Sequence, residues 1–187
     1  MIPPAIGQLS GQAVLDEMPH LAALLHACVA DGASVGYILP FDLAAAAAFW
    51  RDKVAPGVAA RTRALLVARI EGRIVGSVQL NWDTPPNQPH RADVAKLLVA
   101  PGHRRAGIAR ALMAALEREA HLRGRVLLTL DTRSGDAAEP LYLSLGYRVV
   151  GIIPGYCLDP DGVRIDSTTI MFKALPARTP AALGSAA

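Results

Sequence analysis

The residues best suited to chemistry form a short arginine-rich turn between an apolar run and a helical pattern. Arg104 and Arg105 supply positive charge in this turn. The backbone N–H groups that open the next helix have no intrahelical partner, and the positive end of the helix dipole lies behind them. Small residues at Gly107 and Ala109 leave room for a diphosphate to approach the backbone. The segment therefore predicts a pyrophosphate-binding turn.

Two common phosphate-binding motifs do not fit this turn. A P-loop has Gly-x-x-x-x-Gly-Lys-Ser/Thr, and Gly102 and Gly107 have the glycine spacing. Ile108 and Ala109, however, stand where the lysine and the hydroxyl residue belong, which excludes a nucleoside triphosphatase. The Gly-x-Gly-x-x-Gly pattern of dinucleotide-binding folds is absent here.

Composition narrows the class of ligand and the expected location. The formal net charge is +3 and there is no lysine or arginine run, which favours one phosphorylated ligand over nucleic acid. The two cysteines, Cys28 and Cys157, are too few for a disulfide framework and have no metal-binding spacing. No secretory signal pattern and no long apolar stretch is present. The sequence predicts a cytoplasmic protein with no nucleic-acid, membrane or metal partner.

Periodicity and turn residues predict the elements that position the turn. The 187 residues fit one α/β domain, with a mixed sheet, over residues 1–175 and a flexible tail over 176–187. Residues 1–12 are expected to be irregular, and Pro56-Gly57 to end the second helix. The predicted elements, in order, are helices over 13–31 and 42–53, strands over 63–70, 73–80 and 93–99, a helix over 107–123, a strand over 126–130, a helix over 137–145, and strands over 148–153 and 167–172.

Two motifs carry a resemblance to a known family. Residues 104–109 match Arg/Gln-x-x-Gly-x-Gly/Ala after a strand, and residues 140–147 are similar to Phe/Leu-Tyr-x-x-x-Gly-Phe/Tyr. On these motifs the chain resembles the GNAT N-acetyltransferases. Residues 32–36, 91–94, 130–132 and 154–157 look like the tabtoxin-resistance type of this family, which acetylates a β-lactam-containing amino-acid-type toxin; this resemblance spans about residues 20–175. Gly135 departs from the family pattern, which often has asparagine there, so one contact to CoA is in doubt.

The resemblance implies a GNAT-type sheet with helices on both faces, and transfer of an acetyl group from acetyl-CoA to a small-molecule amine. The acceptor would be amino-acid-like or toxin-like. A protein N-terminal or lysine acetyltransferase and a non-catalytic CoA sensor remain as alternatives, and the chain is expected to be a monomer or a homodimer. The residues predicted to hold CoA are Leu97, Leu98, Val99, Arg104, Arg105, Ala106, Gly107, Ile108, Ala109 and Arg110.

Direct transfer to an amine, as the resemblance implies, requires proton movement. An amine with a pKa of about 10 is mostly protonated at neutral pH, so a base must take its proton before it attacks. Asp93 and Asp131 are the candidate bases because the strand–helix–strand crossover makes their strands neighbours. By strand alternation Asp93 is expected to share a face with Ala95, Leu97 and Val99. In the family motif, Tyr142 lies near the sulfur and is the predicted proton donor.

The remaining predictions concern the oxyanion and the acceptor. In the GNAT family the strand opens at a β-bulge, so a backbone N–H of Leu98 or Val99 is the expected oxyanion donor. Two loops are expected to form the walls of the acceptor site, one early and one at residues 155–159. Their predicted substrate-binding residues are Val35, Tyr37, Tyr156 and Asp159. Either aspartate could instead form an ion pair with Arg91 or Arg133.

Overall fold

A seven-stranded mixed sheet organises residues 3–176, the part of the chain that this computed structural model describes. The strands are β1 Ala5–Leu9, β2 Arg63–Ile70, β3 Arg73–Asn81, β4 Arg91–Val99, β5 Leu127–Arg133, β6 Arg148–Leu158 and β7 Ile165–Ala174. Their order in the sheet is β1-β2-β3-β4-β5-β7-β6. Only β4 and β5 are parallel neighbours, and they are joined by a helical crossover. The predicted mixed α/β sheet is confirmed.

Helices cover both faces of the sheet. They are α1 Gly11–Asp16, α2 Met18–Ala30, α3 Leu43–Phe49, α4 Ala55–Ala59, α5 Ile108–Leu122 and α6 Ala138–Ser144. One apolar layer packs α5 against the sheet through buried residues such as Leu112 and Leu116. The other packs α2 and its neighbours through Leu21, Leu25 and Trp50. Because both faces of the central strands are buried, strands such as β2 have almost continuous apolar sequences.

The N-terminal segment differs from the prediction. Residues 5–9 form β1, which pairs antiparallel with β2, whereas an irregular segment was expected over residues 1–12. The expected helix over 13–31 is two helices, α1 and α2, which meet at Glu17. Pro19 lies in the first turn of α2, the one helical position where its missing N–H costs no intrahelical bond.

The prediction that Pro56-Gly57 ends the second helix is wrong. After α3 the chain continues through a π-helical turn, Trp50–Val54, directly into α4. Pro56 therefore lies in the first turn of α4, where a missing N–H removes no hydrogen bond. The wider π turn shifts the hydrogen-bond register just before the proline, and the helical segment ends at Ala59.

An extra residue in β4 forms a β-bulge. Ser77 of β3 lies opposite Leu98, and Gln79 lies opposite Ala95, so three steps along β4 match two along β3. Lys96 lies within the bulge and has a φ angle of 51°, in the left-handed region. A bulge of this kind bends the strand and disrupts the ladder locally. The strand opening expected at this place is therefore present.

The bulge also changes which residues share a face of β4. Ala92 and Val94 pack in the layer beneath α5, and after the bulge Leu97 and Val99 pack against the same layer. Asp93 alternates with Ala92 and Val94 and thus lies on the other face. The prediction that Asp93 shares a face with Leu97 and Val99 is wrong, because the extra residue inverts the alternation.

The C-terminal strands are longer than predicted. β6 continues past Ile153 to Leu158, with an irregularity in its pairing to β7, so most of the loop expected over 155–159 is strand. The expected flexible tail over 176–187 lies, apart from Pro176, outside the described residues. Within residues 3–176, none of the helices is both long and apolar enough to cross a membrane.

Candidate active site

The central feature of the site is a gap between β4 and β5. The two strands pair only from Arg91–Asp93 to Leu127–Thr129, while β4 remains paired with β3 as far as Val99. At its end, the Ala100 N–H donates to the Val75 carbonyl of β3 at 2.9 Å. Because successive N–H groups of a strand point to opposite sides, the Val99 N–H faces the gap. An extended polar ligand can pair with this free strand edge.

The turn that follows β4 presents a row of free backbone donors. Arg105 and Gly107 have positive φ angles, 62° and 78°, and Gly107 caps α5 without a side-chain hydrogen bond. Within residues 3–176, none of the backbone N–H groups of residues 105–110 donates a hydrogen bond. Successive free N–H groups at a left-handed turn and a helix N-terminus form an anion-binding concavity.

This donor set fits a diphosphate. A Cβ added at Gly107 would meet no atom within 4 Å, so the space above the turn is open. Among the described residues Arg105 has no ion-pair partner and is exposed. Arg104, by contrast, is paired with the Asp31 carboxylate, and its Nε donates to the Val99 carbonyl. Arg110 donates to the Ser144 hydroxyl at 2.8 Å.

Tyr142 lies on α6 and is almost completely buried, with 6% of its surface exposed. Burial raises the pKa of its hydroxyl well above the usual value, and the nearby Asp131 and Asp136 carboxylates raise it further. Its ring packs on Tyr147, with centroids 5.7 Å apart. The Tyr142 hydroxyl therefore stays protonated at neutral pH, which suits a proton donor.

The two candidate bases have different surroundings. Asp93 lies opposite Thr129 on β5, and Asp131 follows two residues later, so both carboxylates are on one face of the sheet. Asp93 is bound by Arg91 at 2.5 Å and accepts a hydrogen bond from the Thr129 hydroxyl. Asp131 is exposed and accepts one hydrogen bond, from the Thr168 hydroxyl at 3.2 Å. Asp131 is thus the more available base.

Lys96 is a candidate site residue that sequence reasoning missed. Its Nζ donates to the Val35 carbonyl at 2.6 Å and lies 5.6 Å from the centre of the Phe49 ring. Burial lowers the pKa of the ammonium, and the Asp131 carboxylate partly opposes this shift. The only sequence signal was a lysine within the mostly apolar run from Val94 to Val99, and the bulge that turns it toward the early loop cannot be inferred from the sequence.

The early acceptor loop meets the β6–β7 connection. Tyr37 stacks on Phe41 with ring centroids 4.3 Å apart, which holds the loop after α2. The Leu39 N–H donates to the Pro160 carbonyl at 2.7 Å, and the Ser34 hydroxyl lies 3.8 Å from the Cys157 sulfur. These contacts close one side of the region beside Lys96, where Val35 and Tyr37 lie as predicted wall residues.

The two late predicted acceptor residues are placed differently. Asp159 is buried, and its Oδ1 accepts the Val163 N–H at 3.0 Å and the Arg164 N–H at 3.2 Å. Its carboxylate thus orders the turn between β6 and β7. Tyr156 is half-exposed on β6 rather than in a loop. A substrate contact by either residue remains a prediction.

A parallel strand with a partly free edge, followed by an amide-lined turn at a helix N-terminus, gives this α/β protein an arrangement suited to an extended phosphorylated ligand. Residues 61–149 match the acetyltransferase (GNAT) domain family. A sequence relative is the uncharacterized N-acetyltransferase of the hisH-hisA intergenic region of Azospirillum brasilense, 40% identical over 80 residues. That match covers 42% of this chain and 48% of the relative, so it spans about half of the relative's length. The matched part of the chain, residues 61–149, is therefore a GNAT acetyltransferase domain.

Solved structures show the same fold. A ribosomal-protein-alanine N-acetyltransferase from Brucella melitensis is 24% identical, with 91% of this chain and 99% of that chain covered and a TM-score of 0.73. A candidate acetyltransferase from Salmonella typhimurium, solved with its cofactor acetyl-CoA, is 20% identical, with 97% and 99% covered and a TM-score of 0.69. The predicted GNAT-type domain and its fold are confirmed. The resemblance to the tabtoxin-resistance type remains a prediction.

Proposed function

We propose that this chain is an N-acetyltransferase that transfers an acetyl group from acetyl-CoA to the primary amine of a compact, amino-acid-like or toxin-like molecule. The observation that carries the proposal is the gap between β4 and β5. It leads from the free N–H groups of residues 105–110 past the Val99 N–H toward the face that carries Asp131. Donor binding and proton removal are thus available along one opening.

The donor end would bind and orient CoA. The N–H groups of the turn and Arg105 would hold the diphosphate of CoA, and the free edge of β4 would hold its amide-bearing arm. Acetyl-CoA, when bound, supplies a thioester that an amine can attack. The Val99 N–H points into the gap and is a hydrogen-bond donor for an oxygen that gains negative charge there.

The acceptor end moves protons. A primary amine with a pKa of about 10 arrives protonated, and the exposed Asp131 carboxylate attracts this cation and can accept its proton, directly or through water. Tyr142 Oη carries a proton that its raised pKa keeps in place at neutral pH. The protonated hydroxyl can donate a hydrogen bond to the leaving thiolate, whose pKa is about 8.5 in free thiols.

The closed acceptor side supports a compact acceptor. The hydrogen bond from Leu39 to Pro160 and the Ser34–Cys157 contact join the two segments that a polypeptide lying across this face would have to pass between. A small amine, by contrast, needs only a path to Asp131. Lys96 and Asp131 also give this region charges of both signs, which suits an acceptor that carries an amine and an acid group.

The test is release of free thiol from acetyl-CoA across amino acids, polyamines, aminoglycosides, β-lactam amino acids and peptides. We expect saturable turnover with a compact amine, and acetylation of its amine nitrogen by mass spectrometry. Turnover confined to peptides would instead support a protein acetyltransferase. Acetyl-CoA binding measured by calorimetry, without turnover on any amine, would support a CoA sensor and contradict the proposed enzyme.

A further inference from the structure

The chain has three lysines, and each lies in a different setting. Lys53 is exposed on the π-helical turn. Lys173 donates to both carboxylate oxygens of Glu117, at 2.8 and 2.7 Å. Lys96 is partly buried and, within residues 3–176, has no carboxylate oxygen at ion-pair distance. Because a partly buried charge without a partner is costly, Lys96 is the lysine whose cationic form the protein stabilises least.

The groups around the Lys96 amine replace water poorly. Its Nζ donates to the Val35 carbonyl at 2.6 Å and lies 6.0 and 5.6 Å from the ring centres of Tyr37 and Phe49. An ammonium carries three N–H donors, and among the described residues only this carbonyl accepts from it. Burial lowers the pKa of the amine, which raises the fraction that is unprotonated and able to attack a carbonyl.

The bulge brings this amine to the opening that the thioester would enter. Lys96 precedes the Val99 N–H by three residues on β4, and its contacts lie on the face packed by α2 and α3. Asp131 lies on the same face, because the adjacent Leu130 packs beneath α5. The four-carbon stem of lysine is flexible, so release of one hydrogen bond lets the amine turn toward the gap. An amine, a carboxylate and an N–H donor thus lie around one opening.

Given the acetyl-CoA binding of the proposed function, we propose that Lys96 is a self-acetylation site that accepts the acetyl group when no amine acceptor is present. The unprotonated Nζ attacks the carbonyl carbon of the thioester, and the bond between this carbon and sulfur breaks. One amine proton passes to the Asp131 carboxylate, directly or through water. The thiolate leaves and is protonated to free CoA, and Lys96 becomes an Nε-acetyl-lysine.

Acetylation of Lys96 would change the charge of the acceptor end. The amide product is neutral, so Asp131 would keep its negative charge without a cation beside it. The acetyl group would also add volume next to Val35 and Tyr37, the predicted wall residues. Protein that has been acetylated at Lys96 should therefore turn over amines that also carry an acid group more slowly than unmodified protein.

Mass spectrometry of the full chain tests the site. The protein is incubated with acetyl-CoA that carries a deuterium-labelled acetyl group, without an amine acceptor, so that new acetylation is distinguished from any acquired during expression. Peptide mapping should show Lys96 labelled at least about tenfold faster than Lys53, because bound donor is held beside Lys96. Lys173 should stay unlabelled, since Glu117 holds its Nζ. Labelling of the exposed Lys53 at an equal or higher rate would overturn the inference.

Two variants test whether the acetyl group comes from bound donor. Arg105→Glu combined with Gly107→Glu places negative charge in the donor turn and should reduce labelling of Lys96 to the rate of Lys53 or below. The control is Gly124→Glu at the other end of α5, which should keep the fast labelling of Lys96. Circular dichroism checks that both proteins are folded. Equal labelling of Lys96 in the double variant and the wild type would indicate chemical acetylation by dissolved acetyl-CoA and would contradict the proposal.

Thiol release with the panel of amines, measured on the same wild-type sample, separates self-acetylation from the proposed function. Turnover of an amine without preferential labelling of Lys96 would overturn self-acetylation and leave the proposed function standing. Preferential labelling of Lys96 without turnover of any amine would support self-acetylation and contradict the proposed acceptor class. Absence of both, together with absence of acetyl-CoA binding by calorimetry, would overturn both.

Discussion

The two ends of the gap between β4 and β5 are constructed differently. The proposed donor end consists mainly of backbone N–H groups from one continuous segment, residues 105–110, at the start of α5. The proposed acceptor end consists of side chains from separate elements: Lys96 at the bulge of β4, Asp131 on β5, Tyr142 on α6 and Tyr37 in the early loop. Because of this difference, we expect substitutions at the two ends to impair different properties of the protein.

A backbone site depends on conformation and on an absence of obstructing or repelling groups. Gly107 provides a left-handed φ angle and open space, and neither property belongs to a functional group. A side-chain site depends on individual groups and their pKa values. Changes at the donor end should therefore alter binding of CoA, whereas changes at the acceptor end should alter turnover with little change in CoA affinity.

The largest effect is expected when negative charge enters the donor end. Arg105→Glu combined with Gly107→Glu removes the unpaired arginine and places two carboxylates where the diphosphate would bind. Calorimetry should show a loss of CoA affinity of at least about a hundredfold, roughly 3 kcal/mol. The double variant should still unfold cooperatively, with an unfolding temperature lowered only by the backbone strain of a non-glycine residue at position 107.

The matched control is Gly124→Glu. Gly124 follows α5, has a left-handed φ angle of 69°, and also has no atom within 4 Å of an added Cβ. The control thus reproduces the backbone strain and the added carboxylate of Gly107→Glu near the other end of the same helix, without the loss of an arginine. We expect it to lower stability similarly and to retain CoA binding. If both variants lost CoA binding equally, the assignment of the turn to phosphate binding would be wrong.

A large effect on turnover is expected at Tyr142. Tyr142→Phe should lower kcat by about a hundredfold through loss of the proton donor, with CoA affinity nearly unchanged. Because burial raises the pKa of this hydroxyl, it remains protonated through the neutral and mildly alkaline range, so its ionisation should not produce an alkaline fall in activity there. Steady-state kinetics with calorimetry separates these quantities.

Tyr147→Phe is the comparison for Tyr142. The Tyr147 hydroxyl is also buried and has no hydrogen-bond partner among the described residues. Removing an unsatisfied buried polar group is nearly neutral or stabilising. The phenylalanine variant should therefore keep wild-type kcat. An unchanged kcat for Tyr142→Phe, under conditions in which chemistry limits the rate, would remove Tyr142 from the mechanism.

The same contrast explains how far the sequence could predict the site. The donor turn could be predicted from the sequence because its arginines, its glycine and the start of the helix are contiguous. Its hydrogen-bond donors are backbone N–H groups, which do not depend on the identity of a side chain. The bulge at Lys96 was not accessible, because a positive φ angle at a lysine depends on pairing with β3 rather than on local preference. β1 was missed for a similar reason, since a five-residue edge strand is stabilised by its pairing with β2.

The two aspartates show the limit at the level of single side chains. Sequence placed Asp93 and Asp131 on neighbouring strands, as the structure has them, but their partners depend on the register of β4 against β5. That register brings Thr129 to Asp93, where Arg91 completes the contacts, and leaves Asp131 with one hydroxyl partner. Local pattern contains no information on this difference, so both remained candidates.

An intermediate effect is expected at these carboxylates. Asp131→Asn should lower kcat by about tenfold to a hundredfold through loss of the base, with an unchanged unfolding temperature. Asp93→Asn should instead destabilise the fold by about 1 kcal/mol, because Arg91 loses its charged partner in a half-exposed site. Measurements of kcat together with thermal unfolding curves distinguish the loss of turnover from the loss of stability. Equal losses of kcat would show that the carboxylates act together.

The smallest effect is expected from the two neighbouring arginines, and it tests how much of the donor end depends on side chains. Arg104 forms an ion pair with Asp31 and donates to the Val99 carbonyl, whereas Arg105 is exposed and unpaired within residues 3–176. Arg105→Ala should weaken CoA binding by about tenfold, and Arg104→Ala by about threefold or less, because an exposed charge next to a phosphate contributes modestly beside several backbone donors. Raising the salt concentration should reduce the Arg105 effect, since exposed charges are screened. If Arg104→Ala proved the more damaging of the two, its pairing with Asp31 would have to break when CoA binds, and the end of α2 would then belong to the donor site.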